Sequence, residues 1–199
     1  MLRFLYNLHV KINRIKYKTY LKLRYPNFFI GPKLTIYGKW LFSIHPESEI
    51  RFGSNIIFRS DTKYNFVGIN KPVSIAVRKN AVLHIGDNSG FSGTSIFVSK
   101  KIIIGKNCNF GGNTSIWDTD FHPLDFQARR INDNTKINSA SIYIGDDVFI
   151  GANTIILKGV KVGDRVIIGA GSVVAKSIPS DEIWAGNPAK FIRKTNYFS

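Results

Sequence analysis

The C-terminal half of the chain repeats a six-residue pattern of apolar and small residues. Counting in sixes places an apolar residue at nine positions: Ile104, Phe110, Ile116, Ile144, Ile150, Ile156, Val162, Ile168 and Val174. Glycine directly follows six of these nine residues, although it makes up only roughly 7% of an average protein. Small or β-branched residues stand four positions later: Cys108, Thr114, Val148, Thr154, Val160, Val166 and Ser172. A repeat this regular predicts a solenoid, whose repeats bury their apolar faces only against each other.

The period of six predicts the geometry of that solenoid. It suits a coil with three short strands per turn, so that about 18 residues complete a triangle and successive turns stack about 4.8 Å apart. The apolar positions then point inward and stack in three predicted pairs: Ile144 on Val162, Ile150 on Ile168 and Ile156 on Val174. Glycines and asparagines near the corners are expected to tolerate positive φ.

The N-terminal half carries the same pattern less regularly. Phe52 and Phe58 fit it, and counting from Ile85 predicts inward positions at Phe91 and Phe97. We therefore predict an all-β fold with three parts: an N-terminal basic helical segment over 1–30, a parallel β-helix over 31–180, and a C-terminal cap over 181–199.

The stretch "SIWDTDFHPLDFQARR" interrupts the repeat. Ile144 follows Ile104 by 40 residues where one turn needs 18, so about 22 residues leave the scaffold in a loop at about 119–141. Long insertions in a compact scaffold are usually functional. At the root of this loop stands His122, a side chain suited to accept a proton near neutral pH. Pro123 favours an extended conformation at His122 and so helps to set its direction.

Charge and composition indicate what the N-terminal segment binds and in which compartment the protein works. The 199 residues carry a net charge of +15, and nine Lys or Arg precede the first acidic residue, Glu47. Leu5, Leu8, Ile12 and Ile15 recur at helical spacing among these basic residues, which predicts an amphipathic helix over residues 1–24. That helix either packs on its own domain or a neighbouring subunit, or lies on a membrane surface. The single cysteine, Cys108, falls in the column of small core residues, and we expect a cytoplasmic protein without disulfides.

Several of these stretches together resemble the hexapeptide-repeat acyltransferases: the isoleucine–glycine hexapeptides, "DFHPLDFQARR", "IGANTIILKGVKVGDRVIIGAGSVVAKSIP" and "AGNPAKFIRK". The resemblance covers roughly residues 80–194 and is greatest to the sugar and polysaccharide O-acetyltransferases, including the maltose and galactoside acetyltransferases. It implies a left-handed parallel β-helix, a homotrimer, acetyl-CoA as acyl donor and His122 as general base. The implied reaction acetylates a sugar hydroxyl, in the biosynthesis of a cell-surface polysaccharide such as capsule or lipopolysaccharide.

The resemblance also implies positions for the two substrates. The positions that match the family's donor site are Phe149, Ala152, Ala170, Ala175, Lys190 and Arg193, with Lys176 adding a nearby charge. Around His122, the predicted acceptor-binding residues are Trp117, Asp118, Asp120 and Arg129. For these four the alternatives stay open. Trp117 either stacks on a sugar ring or packs under the loop, and the aspartates either orient the imidazole, cap the loop or bind substrate hydroxyls. Arg129 meets either an anionic acceptor or a neighbouring loop.

Two other functions are compatible with parts of the sequence. An N-acyltransferase acting on an amino sugar nucleotide would use the same histidine and donor site. A non-catalytic β-helix that binds an anionic lipid or nucleic acid through its basic arm would leave the loop motif unexplained, so we expect no nucleic-acid partner. A carbonic anhydrase on this scaffold needs three metal-binding histidines, two of them five residues apart. His9, His45, His84 and His122 lack that spacing, and we therefore expect no metal site.

Overall fold

The computed structural model describes residues 15, 17 and 19–195, and the chain winds there into a triangular prism. Its three faces are parallel sheets, here called A, B and C, and each coil of the chain adds one strand to each face in that order. Edge BC is the corner where the chain passes from face B to face C, and edge CA is the corner where it passes from face C to face A. Six coils, numbered 1 to 6 in chain order, stack along the prism axis.

Face A consists of β1 (Phe28–Ile30), β4 (Glu49–Phe52), β7 (Val82–Ile85), β10 (Lys101–Ile104), β13 (Ile142–Ile144) and β16 (Lys161–Val162). Face B consists of β2 (Thr35–Tyr37), β5 (Ile57–Arg59), β8 (Gly90–Ser92), β11 (Asn109–Phe110), β14 (Phe149–Ile150), β17 (Ile167–Ile168), β19 (Glu182–Ala185) and β20 (Lys190–Lys194). Face C consists of β3 (Leu41–Ile44), β6 (Ser74–Val77), β9 (Ser95–Val98), β12 (Ser115–Trp117), β15 (Ile155–Ile156) and β18 (Val173–Val174).

The nine apolar positions of the repeat form the core of the prism. Each of them is at most 3% exposed, and the predicted column of small residues is buried as well. The three predicted stacks are confirmed by the strand register: Ile144 pairs with Val162, Ile150 with Ile168 and Ile156 with Val174. The hexapeptide repeat therefore determines which side chains are inside.

The glycines of the repeat serve a purpose other than the predicted one. None of the six repeat glycines has positive φ, which instead occurs two residues later at positions such as Asn107 and Asn153. A Cβ added to Gly111 would stand 2.5 Å from the backbone N of Ala152 in the next coil. The repeat needs glycine there because successive coils approach too closely for a side chain.

Two irregularities in the N-terminal half differ from the prediction. Ile96, not Phe97, points inward from β9, because it follows Phe91 by only five positions; the side chain of Phe97 is consequently left on the outer surface. A second excursion, unpredicted, occupies residues 60–73 between β5 and β6 at edge BC, and includes a 3₁₀ turn at Thr62–Tyr64. We call it the corner insert.

Both ends of the prism are covered. Residues 15, 17 and 19–24 are helical; Leu21 is fully buried, and the Tyr17 ring lies 6.0 Å from that of Trp40. This part of the helix packs on its own domain, while Leu5, Leu8 and Ile12 lie outside the described residues. At the other end β20 pairs antiparallel with β19 and extends face B. Across the described residues, no helix is both long enough and apolar enough to span a membrane.

Candidate functional site

The loop that carries His122 spans residues 118–141 between β12 and β13, and we call it the excursion loop. Its two ends run side by side: Thr119 and Ser139 form an antiparallel bridge, and the Asp120 N–H donates to the Asn138 carbonyl at 3.0 Å. The excursion loop therefore leaves edge CA through a paired neck, which restricts where the histidine beyond it can point.

Asp118 anchors the neck to the preceding coil. Its fully buried carboxylate accepts hydrogen bonds from the backbone N–H groups of Ser99, Lys100 and Lys101 at 2.6–2.8 Å. Burial raises the pKa of the Asp118 carboxyl, and the three backbone donors oppose that shift. Of the alternatives left open for Asp118, acceptor binding among them, the geometry fits a structural, capping role, because its carboxylate is buried and both oxygens are already bound by the turn of the preceding coil.

Asp120 ties the neck to the following coil. Its Oδ1 lies 2.7 Å from the Lys158 ammonium, and the side chains of Asp120 and Lys158 are 18% and 30% exposed. The neighbouring Gly159 N–H donates to the Ala140 carbonyl at 3.0 Å. The other carboxylate oxygen, Oδ2, is buried and has no hydrogen-bond partner. Asp120 thus holds the neck through one oxygen and keeps an acceptor unused two residues before His122.

Replacing Lys158 with Met is expected to lower the free energy of unfolding by about 1–2 kcal/mol, because it leaves a partly buried carboxylate without its ion pair. Urea denaturation measures the change. Lys106→Met, which removes another lysine of the same prism that is exposed, is the control and should change stability by less than about 0.5 kcal/mol. A charge exchange, Asp120→Lys with Lys158→Asp, should recover part of the loss; equal effects of Lys158→Met and Lys106→Met would contradict the proposed tie.

Aromatic packing turns the chain outward at His122. Phe121 adopts φ +64°, a left-handed backbone conformation that residues other than Gly, Asn and Asp rarely adopt. Its ring packs edge-on against Phe97 at 4.7 Å and Trp117 at 5.6 Å between centroids. Trp117 thus packs under the excursion loop, the second of its two predicted alternatives, and does not line the pocket described below. The cluster fixes Phe121 and leaves His122 exposed.

Arg129 fixes the chain just after the histidine. It lies on the short helix Phe126–Arg130, and its Nη1 donates to the carbonyls of Pro123 and Leu124 at 2.7 and 2.6 Å. Asp125 caps the same helix by accepting from the Gln127 N–H at 2.8 Å. These two bonds fold the excursion loop back on itself, so Arg129 positions the segment next to His122, and acceptor binding by this exposed side chain stays a prediction.

A pocket of about 680 Å³ opens beside His122. It is bounded by the excursion loop on one side and on the other by residues on or after the face C strands β6 and β9. Its lining residues are Arg78, Phe97, Ser99, Thr119, Phe121, His122, Asn134, Ile137 and Ser139. Aromatic rings beside hydroxyl, amide and guanidinium groups suit a polyhydroxylated ligand, because the rings cover its apolar faces while the polar groups bind its hydroxyls.

Most of this lining was missed by sequence reasoning. Arg78, Ser99 and Asn134 lie outside the six-residue pattern, and Phe97 was assigned to the core. One signal was available: Arg78 and Ser99 follow the two face C strands β6 and β9, directly above the strand from which the excursion loop leaves. Residues after neighbouring parallel strands meet at the same edge of a sheet.

The predicted donor-site residues divide between two edges of the prism. Phe149 is half exposed on face B, in a row of register partners that continues through Ile167 and Ile183 to Arg193. Lys190 lies on the same final strand, β20. Ala152 and Ala170 follow β14 and β17 at edge BC and are joined through the Gly171 N–H, which donates to the Ala152 carbonyl at 2.8 Å.

Ala175 and Lys176 lie elsewhere, after β18 at edge CA, the edge from which the His122 loop departs. Within one chain, therefore, the histidine shares an edge with only two of the seven predicted donor residues. The predicted absence of a metal stays a prediction, although in the part of the chain that is described no three His, Cys, Asp or Glu side chains are grouped to hold an ion. Cys108 is buried, and burial raises its pKa to about 11, as suits a core thiol.

Known protein families match the coils on both sides of the excursion loop. The model "Bacterial transferase hexapeptide (six repeats)" matches residues 141–176, and "Hexapeptide repeat of succinyl-transferase" matches residues 101–116.

Curated relatives extend the similarity. The galactoside O-acetyltransferase of Lactococcus lactis subsp. lactis is 34% identical over 146 residues, which are 72% of this chain and 62% of that protein. A Dictyostelium discoideum protein described as an acetyltransferase is 42% identical over 113 residues, 56% of this chain and 57% of that protein. The chain spans about half the length of the first curated relatives it matches.

Among solved structures, a galactoside acetyltransferase in complex with coenzyme A superposes with a TM-score of 0.52 at 27% identity, covering 84% of this chain and 70% of that one. The fold is the left-handed parallel β-helix that the resemblance implied. The repeat that these family models describe flanks His122 on both sides and closes into this prism, so the chain is a hexapeptide-repeat protein similar to the galactoside O-acetyltransferases.

Proposed function

We propose that the protein transfers an acetyl group from acetyl-CoA to a hydroxyl of a sugar, in the assembly of a cell-surface polysaccharide, with His122 as general base. The observation that carries the proposal is the exposed imidazole at the rim of a pocket of about 680 Å³, in a chain with this repeat. The galactoside O-acetyltransferase relative supports oxygen rather than nitrogen as the acceptor atom.

In the proposed reaction His122 accepts the proton of the sugar hydroxyl while that oxygen attacks the thioester carbonyl. The C–O bond forms, the tetrahedral intermediate collapses, and the C–S bond breaks. The imidazolium then returns its proton to the departing thiolate, so His122 ends the cycle neutral. Backbone N–H groups are the expected donors to the transient oxyanion. No covalent intermediate on the protein is needed.

The pocket supports a sugar as acceptor. Arg78, Ser99 and Asn134 supply hydrogen-bonding groups, while Phe97 and Phe121 supply ring surface. The Arg78 guanidinium already lies 4.8 Å from the centre of the Phe97 ring, which keeps its charge at the pocket wall. A sugar hydroxyl directed at His122 would have its ring between these two sets of groups.

Face B supports the donor site. The row from Phe149 through Ile167 and Ile183 offers an apolar track for the pantetheine arm, and Arg193 at its end offers a charge for phosphate. Small residues at Ala152 and Ala170 let an extended chain approach the backbone. Since this site and His122 lie on different edges of one chain, we propose a homotrimer in which two subunits form each active site.

The proposed location is the cytoplasmic side of the membrane, where activated sugars are assembled. The basic segment 1–24 is the candidate for peripheral contact with anionic lipid. Most of that segment lies outside the described residues. Of its described part, Tyr17 and Leu21 pack on the domain, whereas Leu23 is 83% exposed.

Release of free thiol from acetyl-CoA tests the function. We expect release that depends on a sugar acceptor, measured with a chromogenic thiol reagent over a panel of galactosides, other glycosides and amino sugars. Mass spectrometry of the product should show one added acetyl group that is removed by mild alkali, as an ester is and an amide is not. Turnover confined to amino sugars, with an alkali-stable product, would replace the proposal with N-acylation; no turnover with any acceptor would contradict both.

A further inference from the structure

The corner insert, residues 60–73, is firmly seated on edge BC. The Asn65 side-chain amide donates to Ser92 Oγ at 2.8 Å, the Asn70 N–H donates to Asn113 Oδ1 at 2.9 Å, and Lys71 Nζ donates to Ser115 Oγ at 3.1 Å. These bonds reach across coils 3 and 4, below the coil from which the insert departs.

Close packing reinforces the hydrogen bonds. A Cβ added to Gly112 would lie 3.0 Å from Val67 Cγ1 and 3.3 Å from Ile69 Cγ2, so the insert rests directly on the backbone of coil 4. The Asn113 side-chain amide also donates to the Gly68 carbonyl at 3.1 Å. The insert is therefore fixed on this edge by contacts on both sides of its tip.

The tip nevertheless exposes apolar side chains. Phe66 is 95% exposed and Val67 is 55% exposed, although the residues on either side are bound to the prism. A loop held in one conformation that presents an aromatic ring to solvent is typical of an interface.

A second exposed apolar set lies on the excursion loop, at edge CA. Leu124, Phe126 and Ile131 are 69%, 53% and 77% exposed. The helix Phe126–Arg130 lies between the first and last of them, and the paired neck and Arg129 hold the surrounding chain. The molecule thus carries two exposed apolar sets on two different edges.

The segments that carry the two sets are attached at the same level of the prism. The corner insert ends on coil 4, at Gly112 and Asn113, and the excursion loop departs from coil 4 after Trp117. Rotation about an axis parallel to the prism keeps each residue at its level. A ring of copies would consequently bring edge BC of one copy against edge CA of the next, and this head-to-tail contact closes on itself.

We propose that the corner insert is a docking element for a second copy of this chain, with Phe66 and Val67 packing against Leu124, Phe126 and Ile131 of the neighbour's excursion loop. The contact brings the neighbour's His122 to edge BC, just above Ala152 and Ala170. The role of the contact in catalysis rests on the acetyl transfer proposed above, whereas the contact itself does not.

Disulfide cross-linking tests the contact without measuring turnover. The full-length double variant Phe66→Cys with Leu124→Cys, oxidised in dilute solution, should give covalent dimers and trimers on a non-reducing gel and nothing larger, because a closed ring limits the chain length. Each single variant should stay monomeric on the gel, since the native Cys108 is buried. The matched control is Phe66→Cys with Tyr143→Cys, which moves the second thiol to an exposed position on face A and should not cross-link.

A complementary pair of variants tests the energetic importance of the ring at position 66. By sedimentation velocity, Phe66→Asp should raise the concentration at which the oligomer dissociates by at least 10-fold, while Phe66→Tyr should leave it unchanged. An oligomer that cross-links neither through Leu124→Cys nor through Ile131→Cys would overturn the contact and leave the proposed function standing. Cross-linking of the Phe66→Cys single variant would also overturn it, because that result means a symmetric contact between two inserts.

Discussion

Replacing His122 with Ala is expected to lower the rate of acetyl transfer at saturating substrates by 10² or more, because the attacking hydroxyl loses its only proposed base. The Michaelis constant for acetyl-CoA should change little, since donor binding is assigned to the predicted residues on face B and edge BC and not to the imidazole. Steady-state kinetics with the acceptor found in the thiol-release panel measures both values. The fold should be unaffected, because His122 is exposed.

The chain contains its own control for this experiment. His45 precedes Pro46 as His122 precedes Pro123, but it directly follows β3 and accepts a hydrogen bond from the Glu47 N–H at 3.1 Å. His45→Ala should keep the turnover of the unchanged protein to within about two-fold. Loss of activity in both variants, or in neither, would remove His122 from the mechanism.

Replacing Asp118 with Ala is expected to lower the free energy of unfolding by about 3 kcal/mol or more. The change leaves three backbone N–H groups of the preceding turn without their acceptor, and each unsatisfied buried donor costs about 1–3 kcal/mol. Activity should fall with it, because Asp118 holds the neck of the excursion loop. Urea denaturation and thiol release measure the two effects on the same preparation.

Two further substitutions separate loss of the acceptor from general damage to the loop. Asp118→Asn keeps one acceptor oxygen at nearly the same volume and should lose less stability than Asp118→Ala. Asp125→Ala removes an exposed helix cap in the same loop and should cost about 1 kcal/mol. If Asp125→Ala proved as destabilising as Asp118→Ala, the structural role given to Asp118 would be wrong.

The core could be predicted residue by residue, and the site only in outline. Inward positions such as Ile150 and Ile168 follow from a constant period, since each coil repeats the same backbone geometry. Phe97 was placed wrongly because coil 3 is one residue short there, which moves the side chains of β9 to the opposite face. The corner insert was missed although Ile75 follows Phe58 by 17 residues where the repeat needs six.

The roles of the polar residues around His122 were harder to predict. Asp118, Asp120 and Arg129 all suit substrate binding by residue type. In the structure Asp118 binds three backbone N–H groups, Asp120 pairs with Lys158, and Arg129 binds two carbonyls of its own loop. Such partners come from different coils, or from the folded loop itself, and no spacing along the chain indicates them.

By itself the sequence determined the solenoid, its inward positions, the place where it is interrupted and the histidine at that interruption. These properties are local, because the six-residue period and the breaks in it are visible in any short window. Only the tertiary structure decided which polar side chains were already bound, that Phe97 and Arg78 form the wall of the pocket, and that His122 and most of the predicted donor residues lie on different edges. Those properties depend on the stacking of coils distant in sequence.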